Sequence, residues 1–253
     1  DKGWNWNVTL SASHERDKIR KLSNAMKAMN AEAMKIENNT DSTSVFTMYE
    51  VGRSQKALML VKSLGIVPAT GNELYLKRDG STTFDYDPND RVEVGNTTPK
   101  IQGFINTNLS WNHIELYMAF NYEYGAKIYN STLAQKVEGA SPYQNADKRV
   151  LYDRWKKPGD KTFFKGVTTD VNGQSTKASS RFVMDNNEFT LSTLNVSYRF
   201  ERRYHDFIRK VGLSSASVAL YLEDLVRLST IKMERGIDYP FSRQVSMSLS
   251  LVF

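Results

Sequence analysis

The chain contains no cysteine. Disulfide staples and thiolate metal sites are therefore excluded, and the absence suits any compartment, including passage through a periplasm. Long apolar runs are also missing. The longest, such as Ala57 to Val61 and Val218 to Leu222, reach five residues, far short of the ~20 a helix needs to cross a bilayer. A barrel strand crosses with only ~9–11 residues, half of them apolar, so this absence leaves a membrane open. Histidine is scarce. His14, His113 and His205 are far apart in the sequence and read as solvated turn residues. Neither a Gly-x-Ser-x-Gly elbow nor a phosphate-cradling glycine loop occurs. Glu115 and Glu123 share one strand face but lie ~26 Å apart along it, too far for an acid/base pair. No catalytic activity and no cofactor is expected. The six prolines, at 68, 88, 99, 142, 158 and 240, all avoid the well-patterned strands, as ladder hydrogen bonding requires. Lys and Arg outnumber Asp and Glu by 34 to 28, a net charge of +6. No basic tract reaches five residues, so the excess reads as solvated loops and no nucleic-acid partner is expected.

What is present is alternation. Val245, Met247, Leu249, Leu251 and Phe253 occupy every odd position at the end of the chain, with Ser246, Ser248 and Ser250 between them. That period of two gives a strand with one apolar and one small polar face. Trp4, Trp6, Val8, Leu10 and Ala12 repeat the pattern against Asn5, Asn7, Thr9 and Ser11. The two tryptophans at one end resemble the aromatic girdle of a barrel strand. Residues 101–124 read as a hairpin turning at Asn112-His113. One face carries Ile101, Ile105, Leu109 and Trp111, then Ile114, Leu116, Met118, Phe120, Tyr122 and Tyr124. The other carries Glu115, Tyr117, Asn121 and Glu123. Leu194, Val196, Tyr198 and Phe200 mark a further strand. Val218, Leu220 and Leu222, opposed by Tyr221 and Glu223, mark another. Residues 201–214 read as a polar turn between them.

Elsewhere the period differs. From Glu15 to Asn38, Ile19, Leu22, Met26, Met29, Ala33 and Ile36 recur at three- and four-residue steps, predicting a helix capped by Ser13. Ala57 to Leu64 and Glu73 to Lys77 read as two further strands. Asp85, Asp87 and Asp90 gather carboxylates in a loop that could ligate calcium, but the glycine and terminal glutamate of an EF-hand are missing, so a solvated acidic turn is favoured. Residues 125–187 show little periodicity. A connection that long is unusual in a compact soluble domain and ordinary on the outer face of a barrel.

Two architectures share these strands: a soluble β-sandwich, with the apolar rows buried between sheets, and a transmembrane barrel, with those rows in lipid. Long strands joined by alternately short and long connections favour the barrel. Val245, Met247, Leu249, Leu251 and Phe253 are then lipid-facing. Glu115, Tyr117, Asn121, Glu123, Tyr221 and Glu223 are lumen-facing. Six secure strands, at most eight, are legible. Eight could close as a small barrel; otherwise the sheet edges must pair with further strands, because hydrocarbon cannot satisfy them.

Several stretches carry a family resemblance. Gly65-Ile-Val-Pro-Ala-Thr-Gly71 through Gly80, Val94 to Lys100, Asp153-Arg-Trp-Lys-Lys-Pro-Gly-Asp160, Ser180-Arg-Phe-Val-Met-Asp185, Leu194 to Tyr198, Ile231 to Phe241 and the final strand together resemble the C-terminal part of SusC/RagA-type TonB-dependent outer-membrane transporters. Val67 stands where that family usually has Asp, and Asp224-Leu225 where it has Asn-Leu. The resemblance implies an all-β chain, residues 1–253, forming the last third of a 22-stranded antiparallel barrel in the cell outer membrane. The plug domain and N-terminal strands would lie outside this chain. It further implies TonB-energised uptake of an oligosaccharide or peptide beneath a SusD-like lipoprotein lid. The outer-loop residues Tyr143, Arg154, Trp155, Phe163 and Phe164 would contact ligand or lid. A non-transporting surface-binding barrel is the alternative.

Overall fold

The computed structural model describes residues 3–39, 43–140, 147–166, 175–231 and 243–253. The chain divides into two compact units: one of residues 1–15, 99–125 and 186–253, the other of residues 16–98 and 126–185.

The first unit holds a six-stranded antiparallel sheet. Its strands are β1 (Trp4–Ser13), β6 (Ile101–Trp111), β7 (Ile114–Tyr129), β8 (Val183–Glu201), β9 (Ser215–Ser229) and β10 (Gln244–Val252), in the order β1-β6-β7-β8-β9-β10. The end of β7 past residue 125 and the start of β8 before residue 186 are counted in the second unit. Strand β1 pairs with β6 across the long excursion of residues 14–100. A two-residue turn with Asn112 at φ 52° joins β6 to β7. Asn tolerates the left-handed region that such a turn demands. Among the described residues no pairing joins β10 to β1, so the sheet has two open edges.

Register converts strand alternation into surface. Trp6 lies opposite Leu109, which lies opposite Leu116; Leu10 lies opposite Ile105, which lies opposite Phe120. At the other end of the sheet Val196, Leu220 and Met247 align, as do Tyr198, Val218 and Leu249. Directly opposed residues share a face, so each set forms a continuous apolar row. Between them, β9 carries an irregularity at which Asp224 and Leu225 face only Ser192, with Asp224 at φ 52°. The apolar positions of β8 change parity there, from Phe189 and Leu191 to Leu194 and Val196. Without such a break, one of those rows would lie on the wrong face.

The second unit holds α1 (Asn24–Asn39), β2 (Ala57–Ile66), β3 (Glu73–Leu76), β4 (Thr82–Thr83) and β5 (Arg91–Asn96). Its sheet runs β4-β3-β2-β5. Ala57 to Val61 are all buried, so β2 is apolar without alternation. The two extra strands read from the sequence therefore belong to this separate sheet, and among the described residues the eight-stranded closure is not formed. Leu60, Val61, Tyr75, Val137 and Phe182 are its innermost apolar side chains.

The helix is shorter than its periodicity suggested. Residues 15–23 are non-helical, Ser13 ends β1, and the Ser23 hydroxyl accepts from the Met26 amide at 3.2 Å as the cap. Ile19 bonds through its backbone to Gly52 and Arg53 instead, which a helix would forbid. The buried face also rotates: Met29 and Ile36 are exposed, while Ala33 and Glu37 are buried. Asn30 explains part of this, since its amide both donates to and accepts from the backbone of Tyr49, at 2.8 and 2.9 Å. Glu37 ion-pairs with Arg91 and accepts from the Tyr86 hydroxyl. Satisfied polar groups thus decide which face is buried.

Candidate functional site

Two constellations stand out, one in each unit. In the six-stranded sheet the polar row contains Glu115, Tyr117, Asn121 and Glu123, opposite Ser110, Asn108, Phe104 and Gln102. Tyr221 and Glu223 lie between Asn195 and Thr193 of β8 and Ser246 and Gln244 of β10. Phe104 is the apolar exception. Asn121 and Glu123 line an open concavity of about 1240 Å³ together with Glu188, Thr190, Asp224 and Arg227. Glu188 ion-pairs with Arg227 and accepts from the Thr190 hydroxyl at 2.9 Å. The concavity thus presents carboxylates, guanidinium and hydroxyls, suited to hydrogen-bonding a polar ligand.

The residues expected to face lipid, Val245, Met247, Leu249, Leu251 and Phe253, all lie exposed in this chain, Met247 by 74%. Trp4 stacks on Trp111 at 5.1 Å beside the short hairpin turn, and the Trp6 indole donates to the Thr107 hydroxyl at 2.7 Å. Gly103 is pinned between strands: a Cβ there would meet the Ser11 carbonyl oxygen at 1.9 Å. Tyr122, opposite it, donates to that same carbonyl at 2.8 Å.

The second constellation is a buried ionic hub that the linear sequence does not announce. Arg181 forks across Glu138 at 2.6 and 2.7 Å and reaches Glu73 at 2.8 Å. Its guanidinium also lies over the Phe182 ring at 4.4 Å. Ser179 and Tyr75 donate to Glu73 at 2.5 and 3.2 Å. The Lys165 ammonium stands 3.9 Å from Glu138 and donates to the Ser175 carbonyl at 2.8 Å. Burial acts to raise the Glu73 carboxyl, but the hydrogen bond and charge of Arg181, with the Ser179 and Ser63 hydroxyls, outweigh it and hold the group below the usual carboxylate range. Burial lowers the Lys165 ammonium, partly offset by Glu138 and Glu73. Each charge of the hub thus meets an opposite charge, although the buried Nε of Arg181 has no hydrogen-bond partner.

This hub draws in most of the outer-loop residues singled out from the sequence. Arg154 is only 7% exposed and donates to the carbonyls of Val137 and Glu138, at 2.7 and 3.1 Å. Phe164 is buried with Ala134, Val137 and Phe182, and Phe163 packs against them. Arg154 and Phe164 are thus buried rather than displayed on the surface, their polar or apolar surface used within the unit. Trp155 donates from its indole to the Pro68 carbonyl at 2.8 Å and covers Gly71, where a Cβ would meet the ring at 2.5 Å. The Pro68–Gly71 and Arg154–Asp160 motifs are therefore two halves of one packing contact. Tyr143, like most of the Ile231–Phe241 motif, lies outside the described residues.

The acidic loop is occupied by local caps. Asp87 accepts from the Asn89 amide at 2.8 Å and Asp90 from the Arg78 amide at 3.1 Å. Among the described residues, Asp85, Asp87 and Asp90 do not converge, and no group of three or more His, Asp or Glu is placed to hold a metal. The histidines depart from expectation. His113 and His205 come within 5.7 Å, ring to ring, with Tyr198 and Tyr204 beside them.

No protein-family model matches the chain, and no curated protein matches it. Solved structures do. The fold is similar to the RagAB peptide transporter, with TM-score 0.74 and 21% identity over 99% of this chain and 27% of that one. It is equally similar to the RagAB peptide importer in its closed-closed state, at 20% identity over 99% of this chain. The open-open state matches over 100% of this chain, at 19% identity. What is shared is the fold: an antiparallel β-structure that occurs as part of a barrel transporter. This chain spans about a quarter of the length of the RagAB chains.

Proposed function

We propose that this chain is the C-terminal portion of the barrel of a SusC/RagA-type importer in the outer membrane. In that reading the apolar rows touch lipid, and the polar row and its concavity line the path of an oligosaccharide or peptide. The open edges of β1 and β10 pair with further strands of a 22-stranded barrel. Uptake is energised by TonB through a plug domain, with a SusD-like lipoprotein as the lid. No catalytic step is part of this function.

The observation that carries the reading is the register. It lines up apolar residues of three strands at each end of one sheet, on a unit with almost no buried apolar core of its own. Uptake of labelled peptides and oligosaccharides, compared between cells with and without the gene, tests it. Loss of uptake of one class is the expected result. Undiminished uptake, with the protein still in the outer membrane, would favour the non-transporting surface-binding barrel. Recovery in high-salt buffer without detergent would refute a membrane barrel altogether.

A further inference from the structure

The connection from β8 to β9 reads in sequence as a polar turn, but it is built differently. It contains the short helix α2 (Asp206–Lys210), whose Ile208 is fully buried with Leu213 and Ala216 against Phe200. That inner side fixes what the outer side displays. Tyr204, Phe207 and Val211 are 59%, 52% and 66% exposed. Around them stand Arg202, Arg203, Arg209 and Lys210, all exposed.

The order of these groups along the sheet is informative. Phe200, Ala216 and Leu251 form the last apolar rung, and Glu201, Ser215 and Val252 the next. The Ser214 amide donates to the Val252 carbonyl at 2.7 Å, closing the ladder there. Phe207 meets the Phe200 ring edge-on at 5.5 Å and so prolongs the apolar row beyond its final rung. The Arg203 guanidinium lies 5.7 Å from the Tyr204 ring, and Arg209 pairs with Asp206 at 3.0 Å. Apolar row, then exposed aromatic, then a cluster of cations is the sequence of environments met on leaving hydrocarbon for an anionic headgroup layer.

We propose that the turn between β8 and β9 is a membrane-interface anchor. Phe207 and Val211 seat at the ends of the acyl chains, and Arg202, Arg203, Arg209 and Lys210 bind anionic phospholipid headgroups. The turn carries four cations against Glu201 and Asp206, and this charge complementarity selects an anionic lipid surface over a neutral one. The inference rests on the membrane reading above.

The test uses the full-length transporter in phosphatidylcholine vesicles with or without phosphatidylglycerol, carrying an environment-sensitive fluorophore at Phe207→Cys in a background without other cysteines. Leu249→Cys is labelled separately. Nitroxide lipids labelled near the headgroup are expected to quench the Phe207 label, and more strongly when phosphatidylglycerol is present. Replacing the four cations by Gln is expected to abolish the difference in quenching between vesicles with and without phosphatidylglycerol. Quenching at Leu249 without quenching at Phe207 would overturn the anchor and leave the membrane reading intact, the result expected if an acidic protein surface covers the turn instead. Quenching at Phe207 that ignores phosphatidylglycerol would overturn the headgroup assignment. A Leu249 label that no lipid quenches would overturn both.

Discussion

The two units of this chain handle apolar and charged groups in opposite ways. In the six-stranded unit Val245, Met247 and Leu249 stay exposed, and the only buried apolar cluster among the described residues sits at the α2 turn. In the other unit Leu60, Val61, Tyr75 and Phe182 are buried, and so are Glu73, Glu138, Lys165 and Arg154. Burying one large aliphatic side chain contributes roughly 1.5–3 kcal/mol. A sheet that forgoes this along three strands at each end is stable only if something apolar other than its own core covers it. The loop-built unit has its own core, and its charges neutralise one another in place. One sequence thus contains a sheet whose apolar rows its own chain leaves exposed and a loop-built body that buries its own core.

The sharpest way to separate them is Arg181→Met. It removes the guanidinium that bonds both Glu73 and Glu138, leaving two buried carboxylates with the Lys165 ammonium 3.9 Å from Glu138. Breaking a buried ionic pair from one side costs about 3–5 kcal/mol. The loop unit is expected to become sensitive to limited proteolysis, while the heat-modifiable migration expected of the proposed barrel stays unchanged in detergent. Collapse of both together would break the comparison. Acid probes the same hub. Glu73 titrates below the usual carboxylate range in the folded unit, so its contribution is present at neutral pH and is lost as pH falls through that depressed value. Protease protection of the loop unit should therefore fall in acid before the sheet responds.

In the sheet, Leu249→Arg should cost about 2–4 kcal/mol if the residue lies near the bilayer midplane, whereas Ser248→Arg should cost far less. Urea titration of folding into lipid vesicles measures both; equal costs would mean that the faces are misassigned, and a larger cost at Ser248 that they are reversed. Gly103→Ala tests the strand contact itself. Its methyl would collide with the Ser11 carbonyl, and the shift of β1 needed to admit it should cost about 1–3 kcal/mol in the same titration. An unchanged midpoint would show that β1 does not approach β6 as described.

How much of this was legible differs between the units for a physical reason. The sheet is repetitive, so period-two alternation in β1, β6, β7, β9 and β10 revealed strands, faces and the hairpin turn. The hub is not repetitive. Glu73, Glu138 and Arg181 come from three distant segments, and no local pattern links them. The α1 boundary is not legible because Ile19 satisfies a three-to-four-residue period by coincidence while its backbone pairs with Gly52 and Arg53. The Arg154–Trp155 pair reads as an outer-loop contact through the family resemblance of residues 153–160, but that motif looks the same whether it contacts a ligand or closes a core. Only the partners, Pro68, Gly71, Val137 and Glu138, distinguish the two.

Asp224 offers the finest test of the sheet. It occupies the left-handed region at φ 52°, where β9 places two residues opposite Ser192. L-residues with short polar side chains enter that region most readily, and β-branched ones least. The backbone requirement, rather than the charge, then explains why Asp stands where the resembling family has Asn. Asp224→Asn is expected to alter the unfolding midpoint by no more than about 0.5 kcal/mol, as a surface substitution does. Asp224→Ile should cost about 1–2 kcal/mol through the left-handed penalty alone. A large effect of Asn would instead assign the carboxylate a role in the concavity it borders, and would move Asp224 from the sheet's geometry to its ligand chemistry.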